Sequence, residues 1–183
     1  MKKFGPAVAL AAALACSVPL TVQSQQPGAP DPSRVVAGTY NVDKDHTQVV
    51  WKVNHLGLTP LYGAIGASGG TLVLDPANPS AAKVTVTFSI AEIATTSAGF
   101  TKHLMSADFF EVEKNPTASF TSTSVEASGT KSKIAGDLTI KGVTKPIVLD
   151  AEFFGAGSNP GARSWRLASP PPPSSSAATS AWA

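Results

Sequence analysis

Three histidines, His46, His55 and His103, are the side chains best suited to chemistry in this chain. An imidazole can ligate a metal or act as a general base near neutral pH. A metal centre also needs its ligands at characteristic spacings. No two of these histidines lie at i, i+4 on a helix or in a short ligand box, so no metal is expected. Asp43 and Asp45 beside His46 have the types of an acid–base pair. They read better as a polar strand start with local capping of backbone N–H groups. No phosphate-binding loop or nucleophilic cysteine occurs in the part expected to fold. Ser97-Ala98-Gly99-Phe100 reads as the entry to a helix rather than as an active serine. The expectation is a protein without catalytic residues, not an enzyme. Its histidines would hydrogen-bond within the fold or touch the headgroup of a ligand.

The elements that must position these residues are organised around residues 102–120. Phe100, His103, Leu104 and Ala107 recur at i, i+3, i+4 and i+7, the spacing of one helical face. Phe109 and Phe110 follow Asp108. Pro116 bars helix and pushes Asn115 towards extended backbone. This is the one convincing helix signal between two β-rich arms. Residues 102–120 alone hold three of the eight phenylalanines beside a histidine. A short apolar plug with a polar tip could close one end of a β-barrel or touch something held inside it.

On the N-terminal side, Thr47, Val49, Trp51, Val53 and His55 alternate with Gln48, Val50, Lys52 and Asn54, which predicts a strand with one mostly apolar face. That alternation puts His55 on the face of Trp51 and Val53. Residues 58–65 predict a short, imperfect strand punctuated by Gly66, Gly69 and Gly70, with 71–74 continuing extended. Asp75-Pro76-Ala77-Asn78-Pro79 is a turn by its chemistry. Residues 83–90 alternate without a fault, Val84, Val86, Phe88 and Ile90 against Lys83, Thr85, Thr87 and Ser89. Further strands are expected at 118–125, at 134–140 with Ile134, Gly136, Leu138 and Ile140 on one face, and at 146–154. Lys141-Gly142-Val143-Thr144 is the hairpin turn between the last two, and Pro146 is expected at a strand start. Regularly spaced strands with one helical excursion predict an all-β, closed or nearly closed antiparallel barrel with a helical plug near 98–108.

Composition agrees. Charged residues are sparse at 14%, and Gly and Pro number 15 each, which suits an all-β domain rich in turns. At 183 residues the chain can form one domain with a sizeable core. Residues 1–24 read as a signal peptide, with Lys2 and Lys3 ahead of an apolar run and Val22-Gln23-Ser24 at the cleavage position. Removing them leaves twelve basic and twelve acidic residues. A neutral chain without a Lys/Arg run argues against nucleic acid. Leu14-Ala15-Cys16-Ser17 loosely resembles a lipoprotein box, but Ala13 stands where Leu is usual, so cleavage at Ser24 is preferred to lipidation of Cys16. Residues 25–37 read as a Pro-rich linker, residues 38–155 as the barrel domain and 156–183 as a tail.

Several short stretches together resemble the YceI-like family of secreted bacterial, lipocalin-like, polyisoprenoid-binding proteins. They are Tyr40-x-Val42-Asp43-x-x-His46-Thr47, Val53-x-His55-Leu56-Gly57-Leu58, Tyr62-Gly63, His103-Leu104-x-Ser106-x-Asp108-Phe109-Phe110, Pro116-x-Ala118-x-Phe120, and Gly136-x-Leu138-Thr139-Ile140-x-Gly142-Val143-Thr144-x-Pro146. Their order and spacing carry the resemblance. It implies an eight-stranded antiparallel barrel that holds a long isoprenoid or fatty chain, without catalysis and without a cofactor other than that lipid.

The residues expected to line the tube are Trp51, Val53, His55, Val86, Phe88, Ile90, Phe120, Leu138 and Ile140. Phe100, His103, Leu104 and Phe109 would surround one mouth, His103 nearest the polar head. Burial of an alkyl or prenyl chain there would contribute about 0.8 kcal/mol per CH₂. Two alternatives stay open: the same side chains fill the tube as a structural core, or the protein is a hydrolase or isomerase of such a lipid with His55 or His103 as base. The expected partner is a small-molecule lipid, for transport or storage in the periplasm or outside the cell. Contact with a membrane for lipid exchange and a homodimer are both compatible with this reading.

After Phe154 the sequence departs from the resemblance. Arg163-Ser164-Trp165-Arg166 is followed by Pro170-Pro171-Pro172-Pro173, which cannot form a barrel strand. Residues 177–183 can be encoded so that starting one nucleotide earlier spells Arg-Ser-Asp-Phe-Gly-Met-Gly, close to the motif the resemblance implies there. The tail is therefore expected to be disordered or frameshifted, with the last barrel strands missing.

Overall fold

The computed structural model describes residues 27–158 and 165–168, the last four by their backbone alone. The signal peptide, Cys16 and residues 177–183, on which the frame-shifted reading rests, lie outside the described residues; within the tail expected to be disordered, residues 156–158 and 165–168 are paired strand. The strands are β1 (Gly28–Ala29), β2 (Gly38–Asn41), β3 (Gln48–His55), β4 (Thr59–Leu74), β5 (Lys83–Ser89), β6 (Ala94–Thr95), β7 (Thr117–Ser128), β8 (Lys131–Ile140), β9 (Val143–Glu152), β10 (Gly155–Ser158) and β11 (Trp165–Ala168). One helix, α1 (Ala98–Met105), precedes β7. No helix among the described residues is long and apolar enough to cross a membrane.

The main sheet is antiparallel, in the order β2-β4-β5-β7-β8-β9, with β3 and β6 also paired to β4. The curved sheet is all-β and lipocalin-like, but it does not close. Among the described residues β9 pairs only with β8, while β2 and β3 form the opposite edge along β4. β1, β10 and β11 form a separate small sheet.

β4 is the longest strand. The sequence divides it at its glycines, but the structure runs it unbroken through all three. Its upper half pairs with β3 and β6, and its lower half with β2 and β5. A bulge between Ala67 and Gly69 joins the halves. Gly70 has φ +142°, and a Cβ there would strike the backbone oxygen of Thr85. Only glycine fits such a place cheaply. The bulge shifts the alternation by one residue. Leu61, Gly63 and Ile65 therefore share an inner face with Gly70 and Leu72, which period-two counting would separate.

The β3–β4 and β8–β9 hairpins turn on Leu56-Gly57 and Lys141-Gly142, all four with positive φ. In β8–β9 this is the two-residue loop that matches strand twist, while the β3–β4 loop adds Leu58 as a third residue. β9 begins at Val143, so Pro146 stands inside the strand rather than at its start. The sheet tolerates it because β9 is an edge strand, with a side that needs no N–H donor. Gly28–Ala29, within the span read as linker, pairs with Gly157 and Ala156.

α1 starts where Ser97 caps it, accepting a hydrogen bond from Phe100 N at 3.3 Å. After Met105 the chain folds back on itself. Phe110 N bonds Leu104 O, Val112 N bonds Met105 O, and Lys141 Nζ reaches Ala107 O at 3.1 Å. The most buried apolar side chains are Ala67, Ile90, Ile93, Leu104, Ala118, Phe120, Val125 and Ala156. Several of them gather where α1 and the turn at Ile90–Glu92 cover one end of the sheet.

Candidate functional site

The strand register assembles the inner face in rows. One row runs Gly70, Val86, Phe120, Leu138, Lys145 across five strands. A second runs Ala67, Phe88, Ala118. A third runs Trp51, Gly63, Thr95 at the end covered by α1. Antiparallel neighbours in register project to the same side, so each row is a continuous strip of side chains.

Phe120 is buried at the centre of the first row. Val86, Leu138, Phe88, Trp51, Val53 and Ile140 remain partly accessible. Ile90 is only 2% exposed and opens the turn after β5, its N–H bonded to Pro116 O at 2.9 Å. Trp51 meets Phe100 of α1 edge to face, with ring centroids 6.3 Å apart. Leu104 is buried under the helix.

Three residues read with this group stand apart from it. His55 ends β3 and is exposed. His103 lies on the outer side of α1, 54% exposed, with Nε2 at 3.1 Å from Asp108 Oδ2. Phe109 packs edge-on against it with centroids 4.9 Å apart and is itself 43% exposed. The helical spacing grouped His103 with Phe100 and Leu104, but of α1 only Leu104 is buried, and His103 turns to Asp108 and Phe109 instead. His46 is bonded through Nδ1 to Asp43 Oδ2 at 2.7 Å, and Asp43 Oδ1 accepts from Asp45 N, which is the local capping read from the sequence. Among the described residues no group of three or more His, Cys, Asp or Glu is placed to hold a metal.

Lys145 is the inner-face residue that sequence reasoning missed. It is half-buried and opposite Leu138, at the open edge of the sheet. Starting the strand at Pro146 hid it; counting back two from Ile147 would have found it. Beside the plug, Lys114 bonds Glu111 at 2.5 Å and holds that carboxyl below its ordinary range.

The family model of a YceI-like domain matches residues 40–178. The chain belongs to the YceI-like family. The YceI-like domain is 45% identical over 127 residues to Protein YceI of Escherichia coli O157:H7, covering 68% of this chain and 66% of that relative, just under two thirds of its length. It is 42% identical over 129 residues to a UPF0312 protein of Pseudomonas aeruginosa strain LESB58, covering 69% and 68%. Among solved structures it is similar to a Campylobacter jejuni YCEI protein, at 38% identity and TM-score 0.51, covering 67% of this chain and 72% of that one. The family match continues past Phe154 into residues read as departing from the resemblance.

Proposed function

We propose that this protein binds a long apolar lipid, of isoprenoid or fatty type, along the inner face of its sheet, and carries or stores it outside the cytoplasm. The observation that carries the reading is the row Val86–Phe120–Leu138. It is apolar across three central strands, yet only its middle member is buried. A filled structural core would bury all three, because protein interiors are close-packed. A partly covered apolar strip is suited to an alkyl or prenyl chain, whose burial is favourable in proportion to its length. The inner-face members of the group read from the sequence would form the wall, and Phe100 and Leu104 of α1 the closed end. Family membership supports the same ligand class.

Titration with a pyrene-labelled fatty acid tests this. Saturable, one-to-one uptake without chemical change supports a carrier. Turnover of the probe that disappears in His103→Ala would replace the carrier with an enzyme using the His103–Asp108 pair. A folded protein that takes up nothing would leave the structural barrel as the better account.

A further inference from the structure

We infer that Lys145 receives the polar head of the ligand, and that the bound lipid is an acid whose carboxylate or phosphate is held by the Lys145 ammonium at the β9 edge of the apolar strip. The inference rests on the lipid-binding reading and adds the chemistry of the ligand's head.

The alternation of β5, β7, β8 and β9 separates charged from apolar residues. Lys83, Glu126, Lys133, Asp137 and Asp150 all fall on the outer face, where Lys133 and Asp150 pair at 2.8 Å. The inner positions of the same four strands are apolar or uncharged, with one exception. Lys145 stands opposite Leu138 and so continues the row Val86–Phe120–Leu138. The outer lysines Lys83, Lys131 and Lys133 are exposed, whereas Lys145 is half-buried. A lysine in such a place lays its methylene stem along apolar neighbours and keeps its ammonium at their rim. β9 pairs only with β8 among the described residues, so that rim is the open edge of the sheet.

Val86, Phe120, Leu138 and Lys145 stand on consecutive strands. Three interstrand steps put Lys145 roughly 14 Å from Val86. A chain lying on this row therefore meets the cation at one end only. Covering an ammonium with hydrocarbon is costly unless it is paired. An ionised acid offers that pairing as a charge-assisted hydrogen bond, about twice as strong as a neutral one. Lys145 already interacts within the protein. An ammonium has three donors, so it can add a ligand oxygen to the partners it has. His103, which the sequence placed nearest the head, lies on the outer side of α1 with Asp108.

The test uses the whole protein with two matched pairs of probes, palmitate against methyl palmitate and farnesyl phosphate against farnesol, each displacing diphenylhexatriene. In at least one pair the acid is expected to bind about tenfold tighter than its neutral partner. A preference within the palmitate pair alone makes the head a carboxylate, and one within the farnesyl pair alone makes it a phosphate. Lys145→Met keeps the stem and removes the charge, so the ratio is expected to fall to about one, and Lys145→Arg should restore most of it. Neutral partners that bind as tightly as both acids, or a ratio unchanged in Lys145→Met, overturn the inference while leaving lipid binding intact. If Lys145→Met does not fold, the Cε resonance of Lys145 in the unmodified protein decides alone. It should shift with the preferred acid and not with its neutral partner, and indifference to both overturns the inference. Failure of all four probes to bind would instead overturn the lipid-binding reading itself.

Discussion

The ring of Phe120 lies over Gly136, two residues along β8 from its register partner Leu138 on the same face. A Cβ at residue 136 would come within 2.5 Å of both the Phe120 ring and the backbone oxygen of Thr121. The ring could tilt, but the backbone oxygen sits in the β7–β8 ladder and cannot move cheaply. Gly136→Val is therefore expected to destabilise the fold by about 1–3 kcal/mol, as overpacking does. Thermal denaturation followed by circular dichroism should show a melting temperature several degrees lower, and an unchanged one would mean that Phe120 does not need that floor.

Leu104 is the anchor of the helical plug, being the buried residue of α1. Leu104→Ala is expected to cost roughly 2–5 kcal/mol, the range for a leucine removed from a packed site. Amide exchange should quicken through α1 and Ile90–Glu92 before it quickens in β7 and β8. Uniform acceleration through the sheet would show that the plug is not a separable unit.

Lys133 and Asp150 face each other across β8 and β9, with Nζ 2.8 Å from Oδ1. Hydrogen bonding to Asp150, then its charge, raises the Lys133 pKa above its ordinary value of 10.5. A raised pKa means that the stabilisation is complete below the unfolded value and is lost as pH rises through the folded one. Both groups are exposed, so the effect is small and salt-sensitive. The melting temperature of Lys133→Ala should lie slightly below that of the unmodified protein at pH 8 and converge with it as pH rises past the ordinary lysine value of 10.5 and through the raised folded one. A gap that persists unchanged at high pH would assign it to packing of the lysine stem instead.

The strands with faultless alternation were legible in the sequence because their inner faces meet only one kind of environment. Val84, Val86 and Phe88 are of this kind, as are Trp51 and Val53. β4 was not legible as one strand. Its bulge changes the inner parity, and Gly70 reads as a break when its role is to let two backbones approach. Pro146 misled for a related reason, since whether a strand is an edge is a property of the sheet and not of the strand. The Leu56-Gly57 turn lacks the Asn or Asp that usually announces such a hairpin. In the site, Val86, Phe120 and Leu138 were each readable from periodicity, but their alignment in one row depends on register. The outward position of His103 goes with its contacts to Asp108 and Phe109 beyond the helix, and the pairing of Gly28–Ala29 with β10 has no local signal.

The inner face predicts its own sensitivity to charge. Phe88 and Leu138 lie on neighbouring rows and are partly accessible. Phe88→Asp and Leu138→Asp should each weaken uptake of the pyrene-labelled fatty acid at least tenfold, since a carboxylate on the strip must be desolvated when the chain binds. Variants that keep the sheet by circular dichroism and also keep full uptake would place the lipid elsewhere.

The most direct measurement is mass spectrometry of an organic extract of the purified, folded protein. The account predicts a long-chain isoprenoid or fatty lipid in near-stoichiometric amount, strongly depleted in extracts of Leu138→Asp. An extract with no lipid, or the same lipid at the same amount from Leu138→Asp, would contradict it.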